Sequence, residues 1–110
     1  RPLHTRLRYF DLQEHRPGLP SDVGALVDGL SANDTKVHLV NINQLESREV
    51  IVQAGTYGEH SWTFLQVDGG EKHVIDGRSF TVVLGPGAGA HLTIGTNRYV
   101  NMPTAAFPFA

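Results

Sequence analysis

The stretch KVHLVNINQLESREVIVQAGTYG, residues 36–58, decides the fold class. Successive side chains of a strand point to opposite faces. Over residues 37–42 that rule puts Val37, Leu39 and Asn41 on one face and His38, Val40 and Ile42 on the other. Further on, Val50 and Val52 share one face, and Ile51 shares the other with Gln53. Runs that are apolar on both faces read as central strands rather than edges. Between them Asn43-Gln44-Leu45-Glu46-Ser47 is short and rich in turn formers, which predicts a hairpin pairing the two runs side by side.

Working outward toward the N-terminus, residues 31–34 (Ser-Ala-Asn-Asp) end a predicted short helix over 21–31. Ser21 is its cap, and Val23, Leu26, Val27 and Leu30 fall at i, i+3, i+4 and i+7 on one stripe. Gly24 and Gly29 each cost such a helix about 1 kcal/mol, so it needs packing to persist. Residues 13–20, with Pro17, Gly18 and Pro20, are a break. Residues 3–12 alternate loosely, Leu3, Thr5, Leu7 and Tyr9 against His4, Arg6, Arg8 and Phe10, which fits an edge strand or a linker from an upstream domain.

Toward the C-terminus, residues 55–58 form a turn and residues 61–67 a strand, with Trp62, Phe64 and Gln66 opposite Ser61, Thr63, Leu65 and Val67. Asp68-Gly69-Gly70 and Asp76-Gly77 are turns around a short segment at 73–75. Residues 80–84 and 91–94 are further strands, and 98–100 a last short one. In the tail, Pro103 and Pro108 exclude a central strand but allow an extended segment over a surface, where Phe107 and Phe109 are expected to dock. Many short strands at this turn spacing predict an antiparallel β-sandwich, immunoglobulin-like or related, with one short helix near the N-terminus.

Size fits one domain over 1–110: an edge strand or linker at 1–20, the helix at 21–31 and the sandwich at 36–110. Because the chain starts at Arg1 rather than Met, it reads as a piece excised from a larger protein. Nine basic and eleven acidic residues give a net charge of −2, so nucleic acid is not an expected partner. No run approaches the roughly 18 apolar residues of a membrane span, and a membrane partner is not expected either. Without cysteine, packing alone must hold the fold.

No reactive constellation emerges. Six histidines (His4, His15, His38, His60, His73 and His91) are scattered through the sequence without an HxH or HExxH pattern. Gly58-Glu59-His60 resembles half of a cupin motif and lacks the other half, so a small metal-dependent β-barrel enzyme is only a third reading and no metal or cofactor is assigned. Glu46 with Glu49, and Asp68 with Glu71, sit around turns rather than in a shared cleft, and no serine lies in a nucleophile elbow. The glycines at 85, 87 and 89 follow a strand, but no helix follows them to hold a phosphate. The most suggestive group is Tyr57, Glu59, His60 and Trp62. Aromatic faces beside a carboxylate and an imidazole suit sugar rings or peptides, although Trp62, sharing a face with Phe64, fits the core better than a platform and leaves Tyr57 and His60 as the better exposed candidates.

From Val37 onward the chain resembles the accessory β-sandwich that follows the catalytic domain in many bacterial carbohydrate-active enzymes. The segments LVNIN (39–43), REVIV (48–52), FTVVLGPG (80–87) and AHLTI (90–94) carry the resemblance, which spans residues 37–95 as a style of strands and turns. It implies a noncatalytic module, C-terminal to a catalytic domain, whose partner is a neighbouring domain of the parent chain. No catalytic residue carries over. A carbohydrate-binding module is the alternative, which requires Tyr57, His60 and Trp62 to be exposed together in one groove.

Overall fold

The computed structural model describes residues 7–31, 33–55, 57–97, 100–102, 104, 106 and 108. Through them run β1 (Leu7–Asp11), β2 (Arg16–Pro17), β3 (Val23–Leu30), β4 (Asp34–Asn41), β5 (Arg48–Ala54), β6 (Ser61–Val67), β7 (Lys72–Gly77), β8 (Ser79–Leu84) and β9 (Gly89–Asn97). Two antiparallel sheets result, one ordered β2-β1-β5-β8 and the other β3-β4-β9-β6-β7. The chain changes sheet between β2 and β3, β4 and β5, β5 and β6, β7 and β8, and β8 and β9. Only β1–β2, β3–β4 and β6–β7 are sequence neighbours paired within a sheet.

Alternation builds the core. On the four-stranded sheet Leu7, Tyr9, Val50, Val52, Ala54, Phe80, Val82 and Leu84 face inward. They meet Val37, Leu39, Ala90, Leu92, Ile94, Trp62 and Leu65 of the other sheet. Each large aliphatic or aromatic chain buried this way contributes about 1.5–3 kcal/mol, which is what holds a fold without disulfides. Two hydrogen bonds tie the layers together. The buried Trp62 indole Nε1 donates to the Val52 carbonyl at 2.9 Å, and Asn41 Nδ2 donates to the Leu84 carbonyl at 3.1 Å.

Four expectations are corrected. The first is the hairpin, because β4 and β5 lie in different sheets and residues 42–47 bridge between them. Val37 and Leu39 face Val50 and Val52 across the core instead of lying beside them, an arrangement that buries both apolar faces.

The second is the helix over 21–31. No helix is present among the described residues, and Val23–Leu30 is a strand paired to β4. Val23, Ala25 and Val27 stand opposite Asn41, Leu39 and Val37, and a bulge between Val27 and Gly29 absorbs Asp28. The helical stripe thus hid an equally good period of two, and the glycines and β-branched valines favoured the strand.

Third, Trp62 and Phe64 do not share a face. A bulge at Thr63 lets Trp62 pair with Thr96 while Phe64 pairs with Gly95, so Trp62 turns inward and Phe64 outward. A Cβ on Gly95 would collide with the Phe64 ring and the Thr63 hydroxyl, so this strand crossing requires glycine there. Last, Asp76-Gly77 is not a turn; β7 continues through it and the chain changes sheet at Arg78.

β1 lies between β2 and β5, with Leu7 and Tyr9 inward as the alternation requires. The remaining terminal expectations fall mainly outside the described residues: Leu3 through Arg6, the strand residues Arg98 and Tyr99, and the docking of Phe107 and Phe109.

The two outer faces differ. On the four-stranded sheet Phe10, Ile51 and Gln53 point away from the core and are 0%, 3% and 3% exposed, while Thr81 and Val83 on the same face are open to solvent. On the five-stranded sheet the outer positions Leu26, Lys36 and His91 are open to solvent.

Candidate functional site

Residues 55–61 leave β5 through a turn that glycine makes possible. Gly55 and Gly58 have φ of 84° and 68°, in the left-handed region that favours glycine. A side chain on Gly55 would strike the Glu59 carboxylate, which folds back over the turn and accepts a hydrogen bond from the Tyr57 N–H at 2.9 Å. The C-terminal segment clamps the loop from outside. Asn101 Nδ2 donates to the carbonyls of Gly58 (3.3 Å) and His60 (2.7 Å) and to Ser61 Oγ (2.8 Å). The backbone N–H groups of Asn101 and Thr104 bond the carbonyls of Glu59 and Tyr57.

Of the four sequence candidates, Tyr57 is exposed, Glu59 is half-buried and occupied by the turn, and His60 and Trp62 are buried. They form no common exposed groove. Trp62 serves the core, tilted at 58° to Phe80 with its indole nitrogen satisfied by Val52. Asn101 and Thr104, which fix the loop, carry no motif that sequence reading could have used.

A second feature lies where β1, the break before β3 and the β4–β5 connection meet. A cleft of about 420 Å³ is lined by Asp11, Glu14, Asp22 and Glu46 together with Arg16 and Arg48. Asp11 is buried, and its Oδ1 accepts the N–H groups of Gln13 and Glu14 at 3.1 Å while Oδ2 stands 3.9 Å from Arg16 Nε. Arg48 Nε bonds Asp22 at 2.9 Å, and its Nη2 reaches Glu46 at 3.2 Å. The Arg48 hydrogen bond, followed by one from Asn43 Nδ2, holds the Asp22 carboxyl below its ordinary 3.8. Four carboxylates thus share the cleft with two guanidiniums, which leaves it formally acidic.

Beside it, residues 42–47 are held more firmly than a surface connection needs. Asn41, fully buried, donates to the carbonyls of Glu46 (2.9 Å), Leu84 and Gly85 (both 3.1 Å), and its Oδ1 accepts from Asn43 N–H at 3.0 Å. Asn43 Oδ1 accepts the N–H groups of Leu45 (2.8 Å) and Glu46 (2.9 Å), and its carbonyl accepts from Gly87. Side-chain amides here replace the ladder that the backbone gives up on leaving β4. The stapled loop nevertheless carries Ile42 and Leu45 into solvent, 67% and 88% exposed.

Among the described residues no group of three or more His, Cys, Asp or Glu is placed to hold a metal ion. The fold does bring two scattered histidines together, His38 of β4 and His91 of β9, as directly opposed residues with ring centroids 3.9 Å apart. Compared with known proteins, the chain significantly matches no family model, no curated protein and no solved structure.

Proposed function

We propose that this chain is a noncatalytic interaction module of a larger, carbohydrate-processing protein, and that it docks on a neighbouring domain of that parent through residues 42–47. The observation that carries the reading is the pairing of rigidity with apolar display in that loop. Asn41 and Asn43 fix its backbone, and what they hold out is Leu45 and Ile42. An ordered loop loses little entropy on binding, and apolar side chains presented on it gain burial only when something covers them. The ion pairs of the adjacent cleft suit the polar rim of such a contact.

The test mixes this chain with the adjacent domain of the parent, expressed separately, and follows association by calorimetry. Saturable binding, weakened at least tenfold by Leu45→Asp with the melting temperature unchanged, is the expected result. No association, or association indifferent to both Ile42→Asp and Leu45→Asp, would remove the reading.

Carbohydrate binding is the second reading, and the polar cleft at Asp11, Asp22 and Arg48 is what favours it, because carboxylates and a guanidinium suit vicinal hydroxyls. Saturable glycan binding lost on Asp22→Ala and kept on Leu45→Asp would establish it in place of docking.

A further inference from the structure

The outer face of the five-stranded sheet carries an arrangement that neither docking nor the cleft uses. His38 and His91 occupy opposed positions of β4 and β9, and their imidazoles stack at 3.9 Å with 16° between planes. His91 is exposed and His38 half-buried. Among the described residues neither imidazole has a hydrogen-bond or ion-pair partner, so their ring nitrogens are open to solvent or a ligand.

The backbone beneath them is fixed on both sides. β4 and β9 pair from Asp34 to Val40, and on the other flank Asp68 clasps His91, its Oδ1 accepting the His91 N–H at 2.9 Å and its own N–H bonding the His91 carbonyl at 2.7 Å. Gly89 keeps a side chain away from the His38 ring. A Cβ at that position would come within 3.3 Å of His38 Nε2.

We infer that His38 and His91 form an open binding site for a divalent transition-metal ion of the zinc, nickel and copper class. Imidazole nitrogens bind such ions at about 2.0–2.1 Å, which sets two of them roughly 3.4 Å apart around a tetrahedral ion. The rings stack nearly parallel with centroids 3.9 Å apart, so chelation turns them out of the stack about χ2, a torsion that is soft in histidine, until one nitrogen of each points at the ion. Because the strands already hold the two side chains together, binding the second nitrogen costs little further ordering. Two protein ligands leave the remaining positions to water or to a donor from another molecule. Imidazole chemistry favours Cu²⁺ over Ni²⁺ and Zn²⁺, and leaves Mg²⁺ and Ca²⁺ unbound.

The experiment is a calorimetric titration of the full chain with Zn²⁺, Ni²⁺ and Cu²⁺ alone, with Mg²⁺ as the control. One saturable ion per chain is expected, with Cu²⁺ bound more tightly than Ni²⁺ or Zn²⁺. His38→Gln and His91→Gln should each weaken it at least tenfold with an unchanged circular dichroism spectrum, whereas His4→Gln and His73→Gln should leave it intact. Lack of saturation below about millimolar metal, equal loss in the His4 or His73 variants, or indifference to His38 and His91 would overturn the assignment.

Discussion

At the level of single residues, the core is not fully satisfied. The Tyr9 hydroxyl is buried without a hydrogen-bond partner, and burial pushes its pKa up to about 12. An unsatisfied buried hydroxyl costs about 1–3 kcal/mol, so Tyr9→Phe should raise stability by up to about 1 kcal/mol in chemical denaturation. The raised value also sets a pH window. The neutral form is preferred in the folded state, so its contribution is intact below pH 10 and disappears as pH rises toward 12, when only the unfolded chain ionises readily. Ultraviolet titration should show a late phenolate step near pH 12 that Tyr9→Phe removes. Gly95 tests packing in the opposite sense. With Phe64 and Thr63 over its Cα, Gly95→Ala should destabilise the fold by about 1–3 kcal/mol, measured as a lower denaturation midpoint. An unchanged midpoint would mean that the β6 bulge yields.

At the level of elements, the β4–β5 connection is the part that distinguishes this sandwich from a plain stack of strands. Asn41→Ala removes the amide shared by Glu46, Leu84 and Gly85, and should cost about 1–3 kcal/mol with faster hydrogen exchange at Leu45 and Glu46. The neighbouring Asp22–Arg48 pair predicts an acid limit. Because the Asp22 value is lowered, its contribution is present above about pH 3.8 and is lost as pH falls through the folded value. Arg48→Ala should therefore be less stable than the parent sequence at pH 7, and the gap should close in strong acid. The strand content and the β6 boundaries were legible, since 61–67 alternates between clear turn signals. Pairing was not, because Val37–Leu39 and Val50–Val52 satisfy their burial equally well side by side or face to face. The 23–30 segment shows the same limit, since Val23, Leu26, Val27 and Leu30 fit a period of 3.6 while Val23, Ala25 and Val27 fit a period of 2, and only pairing to β4 decides. At the candidate site the core position of Trp62 was legible, whereas His60 could not be told from a surface group because the Asn101 clamp leaves no pattern in the neighbouring residues. The His38–His91 pair was invisible for a related reason, being a product of the β4–β9 register.

At the level of the whole molecule, the layers divide structural and interactive roles. The outer face of the four-stranded sheet is buried at Phe10, Ile51 and Gln53, while the outer face of the five-stranded sheet is open at Leu26, Lys36 and His91 and carries the histidine pair. The stapled loop projects from the end of the sandwich where the polar cleft lies, away from the hydrophobic core. Stability and interaction therefore rest on different residues, and a surface change such as Leu45→Asp should alter stability by no more than about 0.5 kcal/mol. The direct test of the docking account is the affinity of this chain for the adjacent domain of its parent, measured in trans with the wild-type sequence and with Leu45→Asp. The account predicts saturable binding that falls at least tenfold in the variant at equal thermal stability; binding that is absent, or the same for the wild type, Leu45→Asp and Ile42→Asp, would contradict it.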